Sequence, residues 1–134
     1  MKLTSIEDLR SKDAKHCIAN AWMQCGRGPW PFVPEHSFHA TRRWRFDWAC
    51  LDLLVAIEID GVVCERKGCS ARVGRHQNAK GLEGDCEKLN AAACLGWSVL
   101  RFTPGMVARA PVQCVEIVEQ LIEARRKMGN STAL

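Results

Sequence analysis

Residues 43–61 constrain the fold more than any other part of the sequence, because apolar and charged side chains alternate along two consecutive runs. Alternate residues of a β-strand point to opposite faces of its sheet. The pattern therefore predicts two neighbouring strands with one apolar face and one acidic face. The predicted apolar face consists of Trp44, Phe46, Trp48 and Cys50 in the first strand and Val55, Ile57 and Ile59 in the second.

The predicted acidic face brings like charges together. A two-residue turn at Asp52 and Leu53 would set Asp47 directly opposite Glu58, and such cross-strand partners have Cβ atoms about 5 Å apart. Carboxylates at this distance repel each other unless a cation lies between them. Mg²⁺ commonly binds one or two carboxylates together with a substrate phosphate. We therefore expect Asp47, Glu58 and, on the same face, Asp60 to bind Mg²⁺ or Mn²⁺ and to take part in catalysis.

A metal between these acids would polarise a phosphoryl oxygen and lower the pKa of a bound water, which is the chemistry of a hydrolytic nuclease. The simpler interpretation is that Asp47 and Glu58 face solvent and pair with arginines, because charged residues often alternate on half-exposed strands. The candidate partners are Arg43, Arg45 and Arg101. The sequence leaves both interpretations open.

Helices and further strands surround this segment. The spacing of apolar residues predicts helices over residues 5–24, 82–95 and 112–127 and strands within 36–59 and 97–102. Between them lie a turn-rich connector at 26–34 and a long polar loop at 61–80, and 128–134 is a predicted frayed tail. The chain of 134 residues is therefore predicted to be one mixed α/β (α+β) domain, a central mixed sheet flanked by helices in the order α-β-β-β-α-β-α.

Composition and charge narrow the classes of function. Hydrophobic residues make up 47% of the chain and charged residues 25%, as in folded globular proteins, and no apolar run is long enough to span a bilayer. Residues 1–10 carry acids where a signal peptide would be apolar, so we expect a cytoplasmic protein without a membrane partner.

Positive charge is concentrated in three clusters, at residues 42–45, 66–75 and 125–127, and Trp44 and Trp48 lie in or beside the first. Basic clusters neutralise phosphates, and neighbouring aromatic rings can stack on bases. The third cluster is equally well explained as solvated charge at a helix C-terminus. The residues expected to contact nucleic acid are Arg42, Arg43, Arg45, Arg72 and Arg75.

Three stretches in order resemble a known superfamily. The chain contains RRWRFDWACLDLLVAIEIDG, then GRH at residues 74–76, then GLEGDCEKLNAAACLGWSVLRFTPGMV. Together these resemble the phage and prophage endonucleases of the PD-(D/E)XK superfamily, near its very-short-patch-repair-like branch, over residues 35–107. The resemblance implies a restriction-endonuclease-like core, a divalent metal, DNA as substrate and, if the protein is phage-encoded, the host cytoplasm. Many enzymes of this superfamily dimerise, so the resemblance also allows a homodimer.

The resemblance assigns roles to the acids and exposes two departures. Asp47 corresponds to the strand aspartate of the superfamily, and Glu58 to the first acid of its (D/E)-x-K element. Phe46 stands at the proline position, and Asp60 stands where the lysine belongs. That lysine normally helps to orient or activate the attacking water, so another residue must supply its role.

Lys88 on the predicted second helix is the first candidate for this role, and His76 in the long loop is the second, since a neutral imidazole is a competent base near pH 7. The alternatives are that Lys88 pairs with Glu87 or Asp85 on an exposed helix face, and that His76 contacts phosphate or is merely polar. Two further acids, Glu35 and Glu7, compete for an additional acidic role.

The eight cysteines lack paired spacing, so most are expected to be reduced, buried thiols. A zinc site at Cys64, Cys69 and His76, with Cys86 as a fourth ligand, ranks below this interpretation but stays open. The leading hypothesis is a metal-dependent DNA endonuclease, with junctions, flaps or nicks as candidate targets. The alternatives are a catalytically degenerate DNA-binding module of the same fold and a zinc-stabilised interaction domain.

Overall fold

The computed structural model describes residues 11–60 and 79–132, and it has a mixed α/β architecture. The elements in chain order are α1 (Ser11–Gln24), β1 (Val33–Ser37), β2 (Arg45–Cys50), β3 (Val55–Ile59), α2 (Ala79–Cys94), β4 (Ser98–Phe102), α3 (Pro104–Arg109) and α4 (Pro111–Thr132). The predicted class is confirmed, but the predicted order omitted α3. This short helix begins with a proline after Thr103, whose hydroxyl caps it by accepting from the backbone N–H of Met106 at 3.1 Å.

The four strands form one mixed sheet in the order β1-β2-β3-β4. The first three strands are antiparallel neighbours, and β4 lies parallel to β3. Trp48 pairs with Ile57 and Ala49 with Ala56, which is the predicted register. The connecting turn spans residues 51–54 rather than two residues, and Leu54 has a φ of 54° in it.

The two faces of the sheet pack against different helices. The first core, between the sheet and helices α1, α3 and α4, contains large aliphatic side chains such as Ile18, Ile57, Val107 and Val118. The second core is smaller and consists of Phe46, Ala49, Ala56 and Ala92 of α2, with Phe38, Trp97 and Val99 packed against it. Both faces are therefore at least partly covered, and the acids lie on the face covered by α2.

The predicted alternation fails in β2, next to Asp47. Phe46 packs in the second core, whereas it was expected to share a face with Trp48, which packs in the first. The neighbouring position of β1 is irregular too, because Glu35 has a φ of 53°, in the left-handed region. Local breaks of this kind redirect side chains at functional sites. Glu35 and Asp47 both line the cavity that lies at this position.

The element boundaries differ from the predictions in ways that have local causes. Strand β1 begins inside the predicted connector and contains Pro34, which is tolerated because β1 is an edge strand. Helix α4 continues to Thr132, so the tail is not frayed from residue 128. Gly96 ends α2 as predicted, with a φ of 90°. No helix in the described ranges is apolar over a length that would cross a bilayer.

Candidate active site

A charged cavity of about 380 Å³ opens where α2 meets the sheet. Every strand and α2 contribute to its wall, which also includes Trp44. It brings together side chains that the sequence singled out separately. The proposed site residues among them are Asp47, Glu58, Asp60, Lys88, Arg43 and Arg45. Glu35, Asp85 and Arg101, which the sequence offered as a further acid or as ion-pair partners, also line it. The acids and bases in this cavity decide what chemistry it can perform.

The carboxylate of Asp47 is fixed by the backbone of the neighbouring strand. Strands β2 and β3 pair from Cys50 to Trp48. Beyond Trp48, the backbone N–H of Ile59 donates to Oδ2 of Asp47 at 2.6 Å. The side chain therefore continues the contact between the strands beyond the paired residues. This bond uses one carboxylate oxygen and holds Asp47 close enough to Glu58 for their charges to interact.

The pKa of Glu58 is raised well above the ordinary value for a glutamate. Its side chain is only 13% exposed, and burial raises its pKa from 4.5 to about 7, with smaller contributions from the charges of Asp47 and Asp60. The hydrogen bond and the charge of Lys88 act in the opposite direction. A buried carboxyl that is surrounded by other acids is a group whose ionised form a divalent cation would favour.

Lys88 reaches Glu58 from helix α2. Its Nζ forms an ion pair with Oε1 of Glu58, and it lies 5.8 Å from the centre of the Phe46 ring. Ala92, one helical turn later, is fully buried in the second core and so fixes the position of Lys88 over the sheet. The alternative was that Lys88 pairs with Glu87 or Asp85 on an exposed helix face, but Lys88 pairs with Glu58 in the cavity, and Glu87 pairs with Arg42 at 3.2 Å.

Asp60 lines the same cavity but is paired with Arg101. Its Oδ2 accepts from Nε of Arg101 at 2.8 Å, and this bond raises the pKa of the guanidinium. Arg101 lies opposite Glu58 in the parallel pairing of β3 and β4. The interpretation of Glu58 as a solvent-facing acid paired with an arginine is therefore wrong, because Glu58 is nearly buried and pairs with Lys88. The acid that pairs with Arg101 is Asp60, which that interpretation did not include.

The remaining candidates divide into those at the cavity and those elsewhere. Glu35 lines the cavity and pairs with Lys15 of α1, whose carbonyl accepts from the indole of Trp48 at 3.0 Å. The sequence analysis did not predict a role for Lys15, because only the packing of α1 brings it to β1.

Trp48 is buried and so cannot stack on a base, whereas Trp44 is partly exposed. Glu7, Cys64, Cys69, Arg72, Arg75 and His76 lie outside the described residues.

One residue of the third basic cluster, Arg125, has a structural role. Arg125 donates from Nε to the carbonyl of Leu53 at 2.9 Å and from a terminal nitrogen to the carbonyl of Gly96 at 3.0 Å. It thereby ties α4 to the turn between β2 and β3 and to the end of α2. Arg126 beside it is exposed.

The cavity offers two neighbouring carboxylates rather than a closed cage of ligands. Within residues 11–60 and 79–132, no group of three or more His, Cys, Asp and Glu side chains is arranged to hold a metal. An ion at Asp47 and Glu58 would therefore complete its coordination with water and phosphate oxygens. Mg²⁺ commonly binds in this way, so the donor set is suited to it.

Six cysteines lie in the described ranges, and all six are free. Cys50 and Cys114 are buried, as expected, but Cys25, Cys86 and Cys94 are exposed, so the expectation of mostly buried thiols is wrong for these three. Burial raises the pKa of the Cys114 thiol, which keeps it protonated.

Comparisons with family models, with curated proteins and with solved structures find no match to this chain. Its function is therefore inferred from the geometry of the cavity and from the resemblance of its motifs.

Proposed function

We propose that this chain is a metal-dependent DNA endonuclease of the PD-(D/E)XK type, which hydrolyses phosphodiester bonds in the cavity between α2 and the sheet. The observation that carries the proposal is the meeting of Asp47, Glu58 and Lys88, which come from three different elements. These are the two acids of the motif and one cation of the type that the motif requires. The approach of Asp47 to Glu58 was expected from the alternation along the two strands, whereas Lys88 was expected there only as a candidate for the missing motif lysine.

The two acids hold the metal in this proposal. A divalent ion bound by Asp47 and Glu58 would polarise the scissile phosphoryl group and lower the pKa of a bound water. Asp47 is preorganised for this role by the bond from Ile59, and Glu58 is nearly buried. Arg43 and Arg45, exposed at the rim, supply positive charge for the flanking phosphates.

Lys88 takes the role of the motif lysine in this proposal. Asp60 occupies the lysine position, but it is an acid and is neutralised by Arg101. Lys88 brings an ammonium group to Glu58 from α2 instead. If Glu58 bound a divalent ion, the ammonium of Lys88 would remain in the cavity and could donate a hydrogen bond to a water or to a phosphate oxygen.

One observation favours a catalytically degenerate DNA-binding module as the second candidate. The ion pairs Lys88–Glu58 and Arg101–Asp60 neutralise two of the acids without a metal. If these pairs persisted in the presence of Mg²⁺, the cavity would bind DNA through its arginines and would not cut it. A zinc-stabilised interaction domain stays a prediction, because three of its four proposed ligands lie outside the described ranges and only Cys86 is described.

A cleavage assay separates the two candidates. Supercoiled plasmid, single-stranded and branched DNA are incubated with the protein in Mg²⁺ or Mn²⁺, and binding is measured separately in EDTA. The nuclease predicts cleavage that is lost in Asp47→Ala and retained in Arg126→Ala, the exposed control, with DNA binding retained in both. Binding without cleavage on every substrate would support the degenerate module instead.

A further inference from the structure

A stack of aromatic rings runs from the second core to the cavity. The ring of Phe46 is fully buried and lies parallel to that of Phe38, with ring centres 4.1 Å apart and an interplanar angle of 6°. Phe38 is in turn nearly parallel to Trp44, at 6.2 Å and 14°. Trp44 lines the cavity, and the guanidinium of Arg42 lies 4.2 Å from the centre of its ring. The stack therefore ends in a partly exposed Trp–Arg pair.

The loop that carries this pair is held by its own hydrogen bonds. The backbone N–H groups of Thr41 and Arg42 donate to Nδ1 of His39, at 3.2 and 3.0 Å. The ring of His39 also contacts Trp44 edge-on, with centres 5.1 Å apart. A surface that is ordered before binding loses less conformational entropy when a ligand stacks on it.

We propose that Trp44 and Arg42 form a stacking platform for one unpaired nucleobase of DNA, next to the phosphodiester bond to be cut. This inference rests on the proposed nuclease function and specifies its substrate as DNA with an unpaired base. Aromatic rings and guanidinium planes both stack on bases without regard to sequence. A base inside a duplex is covered by its neighbours on both faces, so only an unstacked base can use the platform.

Two features make a nucleobase a better occupant than an apolar partner. The platform carries positive charge, from Arg42 itself and from Arg43 and Arg45, which are also exposed beside it. A phosphate backbone matches this charge, and a purely apolar surface does not. The pair between Arg42 and Glu87 involves two exposed side chains, so little energy opposes its release when a base arrives.

The test measures binding without cleavage, by fluorescence anisotropy in EDTA. The probes are a labelled duplex with a single-stranded flap and the same molecule with an abasic flap. Stacking of one base predicts that the wild type binds the base-bearing flap at least about fivefold more tightly. We expect Trp44→Leu to lose this preference and Trp44→Phe to keep most of it. Arg126→Ala, at an exposed arginine of α4, should behave as the wild type.

Equal affinity of the wild type for the two flaps would overturn the inference, as would an undiminished preference in a folded Trp44→Leu. If Trp44→Leu fails to fold by circular dichroism, Arg42→Ala decides, because Arg42 is exposed. A reduced preference then supports the platform, and an unchanged one contradicts it. Base preference without cleavage in Mg²⁺ would reject only the nuclease, and cleavage without base preference would reject only the platform.

Discussion

The two faces of the sheet differ in what they bury. On the face of α1, α3 and α4, branched side chains such as Ile57 and Val118 fill a continuous apolar core. On the face of α2, a smaller core of Phe46 and three alanines stands beside a cavity that crowds several acids together. Crowded like charges oppose folding. The comparison indicates that the first face, which packs against α1, α3 and α4, supplies most of the stability of the fold. This stability allows the second face, which packs against α2, to hold several acids close together.

The largest effect should come from the acids of the second face. Glu58→Gln keeps the shape of the side chain but removes its negative charge, so we expect DNA cleavage in Mg²⁺ to fall by at least about 100-fold. The loss should appear in initial rates of plasmid nicking. Unchanged DNA binding in EDTA would assign the loss to catalysis, whereas an unchanged rate would remove Glu58 from the site.

Substitutions on the first face, which packs against α1, α3 and α4, should lower the free energy of unfolding rather than act on cleavage directly. Ile57→Ala removes a fully buried side chain and should lower the free energy of unfolding by about 2–5 kcal/mol. Leu89→Ala, at a partly exposed residue of the cavity wall, should lower it much less. Urea denaturation of the two variants measures both. Equal losses would contradict the division of labour between the faces.

Stability should also depend on pH through Glu58. Because its pKa is raised from 4.5 to about 7, the folded state holds this proton more tightly than the unfolded state does. The contribution of this group to stability is therefore present at low pH and declines as pH rises through the window from 4.5 to 7. At pH 8 we expect Glu58→Gln to be more stable than the wild type, by on the order of 3 kcal/mol.

Urea denaturation at pH 4 and pH 8 provides the check. The difference between wild type and variant should be small at the lower pH, where Glu58 is protonated in both the folded and unfolded states. A wild type that exceeded the variant at pH 8 would mean that the pair with Lys88 outweighs burial.

The smallest expected effect is stabilisation by the metal. Mg²⁺ at ten times its Kd should stabilise the folded wild type by about 1.4 kcal/mol at pH 8, because the ion binds only the folded state. Thermal unfolding with and without Mg²⁺ measures the shift. Asp47→Asn should show little of it, whereas Arg126→Ala should show all of it. A shift that survives in Asp47→Asn would locate the ion elsewhere.

Sequence pattern was sufficient for some of these features and not for others. Alternation and a short turn were enough to predict the register of β2 and β3 and the shared face of Asp47 and Glu58. The reversal of Phe46 could not be predicted, because it depends on a local break next to Asp47 and on packing against α2. A prediction that assumes strict alternation of side chains along a strand does not include such a break.

Contacts between distant parts of the chain were the hardest to predict. Lys88 lies 30 residues from Glu58, so its role was inferred only from the resemblance, and the fold then brought the two together. Arg101 was considered only as a generic partner, although a parallel pairing of β4 with β3 would have set it opposite Glu58. Such pairings depend on how the crossover helix packs, and local patterns do not contain that information.

The position of a bound metal ion tests the central claim most directly. A crystal of the protein soaked in Mn²⁺ should give an anomalous difference peak between Asp47 and Glu58, with oxygen atoms of both about 2.2 Å away. Lys88 should then have turned from Glu58 toward the open side of the cavity. A crystal that binds Mn²⁺ elsewhere, or keeps the Lys88–Glu58 pair closed with no peak beside it, would contradict the proposed nuclease.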